Sequence, residues 1–183
     1  MVVTESSNLP IGAEAPEFTL PDTREASQVQ LSSYAGQPLL IVFMCNHCPY
    51  VIHILEELVT IAREFDQEGV RTIAISANDI VNYPQDAPAK MAALAQRYDV
   101  GFPYCFDETQ SVARAYGAVC TPDIFLFDSA HRLYYHGQFD ETRPGNGKAH
   151  GTDLRQACAS LLQGKAAPTG VRPSVGCSIK WKS

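Results

Sequence analysis

The chain has 183 residues, 45% of them hydrophobic, and a formal net charge of −6. This length fits one domain with a full core, and the negative charge argues against a nucleic-acid partner. The longest apolar run is far shorter than a membrane span and residues 1–10 contain no apolar signal core, so we expect no membrane segment and a cytoplasmic location.

The first half of the chain predicts a short hairpin followed by a buried strand and a long helix. Residues 1–15 look like a loose lead-in, and residues 16–22 and 29–31 have the pattern of paired strands. The unbroken, partly β-branched run at 39–44 is typical of a buried strand. Apolar residues then recur at helical spacing, which predicts a helix from about 47 to 67.

The second half predicts one more strand, helices and a closing hairpin. Residues 70–77 form another β-branched run that ends in polar side chains. Further elements are predicted as helices at 89–98, 111–116 and 154–161 and strands at 123–128 and 133–139. The order predicts a single α/β domain over residues 1–183, with a mixed central sheet, helices on both faces and an N-terminal β extension. Residues 165–183 are expected to form a tail without a regular element.

Two cysteines, Cys45 and Cys48, stand where the strand at 39–44 is predicted to turn into the long helix. We expect Cys45 near the helix N-cap and Cys48 one turn further in. Free N–H groups and the helix dipole stabilise an anion at such a site and lower a thiol pKa. Cys45 is therefore expected to attack a substrate disulfide, and Cys48 to displace the product and close a Cys45–Cys48 disulfide.

A metal site is the main competing interpretation of the Cys-x-x-Cys motif. A structural zinc site needs a second ligand pair, and the remaining cysteines are isolated. These are Cys105, Cys120, Cys158 and Cys177. We therefore expect neither a metal nor another cofactor, and we expect Cys105 and Cys158 to be core residues. A non-enzymatic module that binds a metal or a partner through Cys45, His47 and Cys48 stays open as an alternative.

Several motifs of this chain resemble the thioredoxin-like superfamily, and within it the peroxiredoxin-like redoxin group (alkyl hydroperoxide reductase/thiol-specific antioxidant family). The motifs are Phe43-Met44-Cys45-Asn46-His47-Cys48-Pro49-Tyr50-Val51 and residues 116–123, 137–140, 143–148 and 173–182. The resemblance implies a thioredoxin-like fold with Cys45 and Cys48 as the redox pair. It also implies that Thr121–Pro122 is a cis-proline bond facing that pair.

The same resemblance includes a departure that bears on the activity. Peroxiredoxins carry Pro-x-x-x-Thr/Ser-x-x-Cys, whereas this chain, aligned on Cys48, has Ile41 at the proline position and Cys45 at the hydroxyl position. We therefore expect a thiol–disulfide oxidoreductase, with a thiol-dependent peroxidase as the alternative. Its partners would be a protein or small-molecule disulfide, or a peroxide, and a recycling thiol reductant.

Four more residues are candidates for tuning the pair or joining its chemistry. His47 would favour a neighbouring thiolate if it carried a charge, and Asn46 fills the other turn position; an exposed turn is the alternative for both. Cys120 lies two residues before Pro122, so it either reaches the site or points into the core. Cys177 is either a second resolving thiol or an exposed tail residue.

The tail carries apolar residues that a free chain end usually lacks. Val175, Ile179 and Trp181 alternate within residues 173–182. We therefore expect this segment to fold back near the redox pair.

Overall fold

The structure is a computed structural model that describes residues 3–6, 9–25 and 27–182. Residues 1, 2, 7 and 8 of the predicted lead-in lie outside the described part. The elements are β1 (Val3–Glu5), β2 (Thr19–Pro21), β3 (Gln28–Gln30), β4 (Leu39–Phe43), α1 (Pro49–Gln67), β5 (Arg71–Ser76), α2 (Pro88–Arg97), β6 (Tyr104–Phe106), α3 (Ser111–Ala115), β7 (Cys120–Thr121), β8 (Asp123–Phe127), β9 (Leu133–His136), α4 (Thr152–Leu162) and β10 (Val175–Ser178). None of the described helices has the length and apolar content needed to cross a membrane.

The central sheet has five strands in the order β6-β5-β4-β8-β9. Strands β4, β5 and β6 run parallel, and β8 and β9 are antiparallel to their neighbours. All five residues of β4 are buried, as its unbroken apolar run predicts for a strand covered on both faces. The predicted mixed α/β sheet is confirmed.

Alternate residues of β4 pack into two different cores, because successive side chains of a strand point to opposite faces. Leu40 and Val42 join the core formed with α1, α2 and α4. Leu39, Ile41 and Phe43 join the core formed with α3 and with β2 and β3, which pair as the predicted N-terminal hairpin. Helices therefore cover both faces of the sheet, as the sequence predicts.

A second, three-stranded sheet joins the two ends of the chain in the order β1-β10-β7. This sheet corrects two predictions, since residues 1–15 were expected to be a loose lead-in and residues 165–183 a tail without an element. Each strand has only two to four residues, too few for an alternating pattern to show in the sequence. Their stability comes from backbone pairing between distant segments, with Cys177 opposite both Val3 and Thr121.

The C-terminal segment is held beyond β10 as well. Ile179 is 3% exposed, and its N–H donates a 2.9 Å hydrogen bond to the carbonyl of Val119. The guanidinium of Arg114 lies 4.3 Å from the centroid of the half-buried Trp181 ring, a cation–π contact. The predicted folding-back of residues 173–182 is confirmed. Because β10 pairs with β7, and Thr121 of β7 contacts Cys45 and Cys48, this segment lies near the Cys45–Cys48 loop.

Gly176 sets how closely β10 approaches β7. A Cβ on Gly176 would lie 2.0 Å from the carbonyl oxygen of Thr121, which is backbone and has little freedom to move. We expect Gly176→Ala to lower the free energy of unfolding by about 1–3 kcal/mol, the usual cost of overpacking, in urea denaturation.

The matched control for this substitution is Gly101→Ala. A Cβ at Gly101 meets nothing within 4 Å, and neither glycine has a positive φ. The control is expected to stay within about 0.5 kcal/mol of the parent protein. An equal effect of the two substitutions would contradict a tight contact between β10 and β7.

Candidate active site

Cys45 and Cys48 lie in the loop between β4 and α1, at the carboxyl end of the central strand. Helix α1 begins at Pro49, and Cys48 is its N-cap with an extended backbone at φ −73° and ψ 122°. The prediction that Cys45 is near the N-cap and Cys48 inside the helix is therefore wrong. The physical reason is Pro49, because a proline disfavours helical backbone at the residue before it.

Thr121 faces both sulfur atoms, and the Thr121–Pro122 peptide bond is cis, as the resemblance implies. The Sγ of Cys45 is 3.4 Å from the Thr121 hydroxyl, and the Sγ of Cys48 donates a 3.1 Å hydrogen bond to the Thr121 carbonyl. Cys45 and Cys48 are almost equally buried, at 1% and 0% exposure. None of the six cysteines, all of which lie in the described part of the chain, forms a disulfide bond in this structure.

A third thiol reaches the pair from β10. Cys177 stands directly opposite Thr121 in the register of β7 and β10. Side chains of directly opposite residues lie on the same face of an antiparallel pair, so Cys177 lies on the face from which the Thr121 hydroxyl contacts Cys45. Cys45, Cys48 and Cys177 all belong to one buried cluster.

The surroundings of the pair favour a negative charge on Cys48 rather than on Cys45. Hydrogen bonds from the thiols of Cys45 and Cys177, and the nearby N–H groups of Val51 and Cys177, lower the pKa of Cys48. The hydrogen bond to Cys48, burial and the carboxylate of Asp86 raise the pKa of Cys45. The Thr121 carbonyl opposes charge on Cys48, but the N-terminal end of the long helix α1 favours it. When one of the two thiols ionises, the remaining proton therefore stays on Cys45, and the hydrogen bond that the Cys48 thiol donates to the Thr121 carbonyl is lost.

A buried carboxylate that we did not single out from the sequence holds the loop in place. Asp86 is 0% exposed, and its Oδ1 accepts a 2.8 Å hydrogen bond from the N–H of Asn46. Its Oδ2 lies 2.6 Å from Nδ1 of His47 and accepts a 2.8 Å hydrogen bond from the Asn78 amide. Asp86 thus fixes both residues between the two cysteines.

The predicted site-lining residues Asn46 and His47 both belong to this arrangement. The Asn46 side chain donates to the carbonyl of Gln85 at 2.9 Å and accepts from the Tyr104 hydroxyl at 3.1 Å. The His47 ring stacks on Tyr83 with centroids 5.7 Å apart. The one sequence signal for this cluster was the polar end of β5 beside the carboxyl end of β4, where parallel sheets gather functional side chains.

Two groups of described residues could hold a metal ion: one has a cysteine, a histidine and a carboxylate, and the other has two carboxylates and a histidine. Among the described residues, ligand atoms come within 4.8 Å of one another in Cys45–His47–Asp86 and in Asp140–Glu141–His150. The proposed alternative set of Cys45, His47 and Cys48 is not brought together in this way. In the first group, both oxygens of Asp86 already accept hydrogen bonds, so the cluster is satisfied by protein donors.

Of the three remaining cysteines, Cys120 lies next to the cis-Pro122, and Cys105 and Cys158 are core residues. Cys120 is fully buried, and burial followed by the charges of Asp123 and Cys48 raises its pKa. Its thiol donates a 3.6 Å hydrogen bond to the Pro122 carbonyl. Cys105 and Cys158 pack in opposite cores, and burial raises the pKa of each to about 12. Both are core residues, as predicted.

Comparisons with known proteins show the family to which the chain belongs. The sequence model of the AhpC/TSA family matches residues 11–136. The chain is 27% identical over 128 residues to "Thiol-disulfide oxidoreductase ResA" of Geobacillus thermodenitrificans, covering 68% of this chain and 67% of that protein.

Two solved structures show how far the fold is shared. The structure of an uncharacterized conserved protein from Geobacillus kaustophilus is 42% identical, with a TM-score of 0.96 over 100% of this chain and 97% of that one. A putative thiol:disulfide interchange protein DsbE from Chlorobium tepidum has the same fold, with a TM-score of 0.67 and 19% identity over 85% of this chain and 99% of that one. The predicted thioredoxin-like fold is confirmed.

Limited alkylation of the reduced protein at neutral pH tests where the charge lies. The two sulfurs are equally buried, so we expect the label to follow the thiolate and to map chiefly to Cys48. The rate advantage is about tenfold for each pKa unit that separates the thiols, up to the assay pH. Peptide mass mapping gives the readout, and Cys158 should stay unlabelled until the protein unfolds. Chief labelling of Cys45 would contradict this assignment and restore the order expected from the sequence.

Proposed function

We propose that this chain, which belongs to the AhpC/TSA family, is a thiol–disulfide oxidoreductase whose redox pair is Cys45 and Cys48. The observation that carries the proposal is the buried pair of thiols at the start of α1, both of which contact Thr121 next to the cis-Pro122. The ResA relative, named for this activity, supports it.

The lowered pKa of Cys48 and the raised pKa of Cys45 support the following order of steps. The Cys48 thiolate attacks one sulfur of a substrate disulfide, the substrate S–S bond breaks, and the released thiolate takes a proton from water. Cys45 then loses its proton and attacks the Cys48 sulfur, which expels the second substrate thiolate. The substrate gains two electrons and two protons, and the protein ends with a Cys45–Cys48 disulfide. An external thiol reductant returns the pair to the dithiol by the same steps in reverse.

A shallow groove beside Pro122 is where an extended substrate would lie. It is lined by Tyr50 and His53 of α1 on one side and by Asp140 and Arg143 on the other. The Arg143 guanidinium is held by the Gln138 side chain and by two backbone carbonyls. Because Arg143 is held in place, the groove is preformed, and it lies next to Pro122.

The AhpC/TSA match makes a thiol peroxidase the second candidate, in which a cysteine attacks a peroxide and its sulfenic acid is resolved by a neighbouring thiol. The position that would carry the peroxide-binding hydroxyl is occupied by the Cys45 thiol. Ile41, at the proline position, is buried in the core on the α3 side. Neither residue positions a peroxide oxygen, and positioning supplies much of a barrier reduction.

We expect disulfide exchange to outrun peroxide reduction. The measurement is side-by-side turnover of a protein disulfide and of hydrogen peroxide, with the same thiol reductant and the same protein sample. Replacing both redox cysteines, as Cys45→Ser with Cys48→Ser, should abolish exchange and serves as the blank. Much faster turnover of peroxide than of the disulfide would make the peroxidase the correct function.

We also expect Asp86→Asn to slow exchange by about tenfold, because hydrogen bonds to a charged group contribute about 1.5–3 kcal/mol each and Asp86 accepts three of them. The substitution also removes a negative charge that raises the pKa of Cys45. Without this charge the pKa of Cys45 is lower, so the alkaline limb of the rate–pH profile, which reports loss of the Cys45 proton, should move toward lower pH.

Asp79→Asn is the matched control for this prediction. Asp79 is also buried on the same loop, at 4% exposure, but among the described residues its carboxylate accepts hydrogen bonds from Val81 and Asn82 of that loop. Its rate and pH profile should match those of the parent. If both variants lose the same activity with unshifted profiles, Asp86 acts through loop stability alone.

A further inference from the structure

Two thiols from different parts of the chain lie beside Cys48. Cys45 belongs to the same loop, and Cys177 stands on β10 directly opposite Thr121, whose carbonyl oxygen is 3.1 Å from the Cys48 sulfur. All three cysteines pack in one buried cluster. Cys45 and Cys177 are therefore alternative partners for one reacting sulfur.

The position of Cys177 is fixed by the fold on both sides. Gly176 packs directly on the Thr121 carbonyl, and Ile179 is buried and hydrogen-bonded to Val119. The N–H of Lys180 donates 2.8 Å to Oδ1 of Asn78, whose amide donates to Asp86. The strand that carries Cys177 is thus tied to the same carboxylate that holds the Cys45–Cys48 loop.

We propose that Cys177 is a second resolving thiol, so that Cys48 forms a disulfide with either Cys45 or Cys177. This inference rests on the proposed function. When substrate is joined to Cys48 as a mixed disulfide, the Cys177 thiolate attacks the Cys48 sulfur, the mixed disulfide bond breaks, and the substrate thiolate leaves and takes a proton. When Cys48 is already joined to Cys45, the same attack expels the Cys45 thiolate. That second step exchanges one S–S bond for another and needs no oxidant.

The charges around Cys177 fit this timing. Burial and the hydrogen bond to Cys48 raise the pKa of the Cys177 thiol to about 12 in the reduced protein, so it stays protonated there. A Cys48 sulfur in a disulfide carries no charge, which removes the negative neighbour. The Lys180 ammonium, which lowers the pKa of Cys177, remains. Cys177 therefore becomes easier to deprotonate once Cys48 has reacted.

The direct test replaces Cys45 and measures whether Cys48 then forms a disulfide with Cys177. Reduced Cys45→Ser protein is treated with one equivalent of oxidised glutathione, digested without reduction, and analysed by mass spectrometry. We expect most of Cys48 in a peptide linked to the Cys177 peptide, with loss of the glutathione adduct. Cys45→Ser with Cys158→Ser should give the same link, and Cys45→Ser with Cys177→Ser should keep glutathione on Cys48.

The result that overturns the proposal is a Cys45→Ser protein with glutathione on Cys48 and a free, alkylatable Cys177. The unmodified protein separates this failure from that of the proposed function. If the unmodified protein exchanges disulfides but the variant shows no Cys48–Cys177 link, the second resolving thiol is wrong and the oxidoreductase stands. If the unmodified protein neither exchanges disulfides nor forms a Cys45–Cys48 bond, the function fails, and this inference with it.

Discussion

The backbone and hydroxyl of Thr121 are the point on which the rest of the site depends. Its hydroxyl faces Cys45, its carbonyl faces Cys48, and Gly176 packs on the same carbonyl. Cys177 is its partner in the short sheet of the chain ends. One residue therefore sets the distances between a loop, a strand and a tail that are far apart in sequence. Bringing such segments together costs loop-closure entropy, which the burial of Ile179 and the β-pairing offset.

The buried carboxylate of Asp86 provides the second constraint. It holds the two residues between the cysteines and, through Asn78, the backbone of Lys180. A buried carboxylate is costly unless several donors satisfy it, so the loop, the strand end and the tail stabilise the charge together. The same charge raises the pKa of Cys45 and favours the thiolate on Cys48. Structure and reactivity of the pair thus have a common cause.

The parts of this arrangement that are local in sequence could be predicted, and the rest could not. The apolar run of β4 and the helical spacing of α1 specified the central strand and helix, and motif similarity supplied Thr121–Pro122. The predicted N-cap position was wrong, because Pro49 imposes an extended backbone on Cys48 and the helix begins only after it. Asp86 contacts residues 39 and 40 positions away, and no periodicity marks which polar loop residue is buried. Strands β1 and β10 are too short to show a pattern and depend on each other's backbone.

The position three residues before Cys48 separates two chemistries that share this fold. A hydroxyl there can only position a peroxide or donate to a thiolate, whereas the Cys45 thiol can also take up the oxidised state of Cys48 as an S–S bond. Cys177, which stands opposite Thr121 on β10, places a further thiol beside Cys48. Under the proposed function, an oxidised Cys48 is therefore next to a thiol with which it can form a disulfide. For this reason the geometry favours disulfide exchange over an enzyme that accumulates a sulfenic acid.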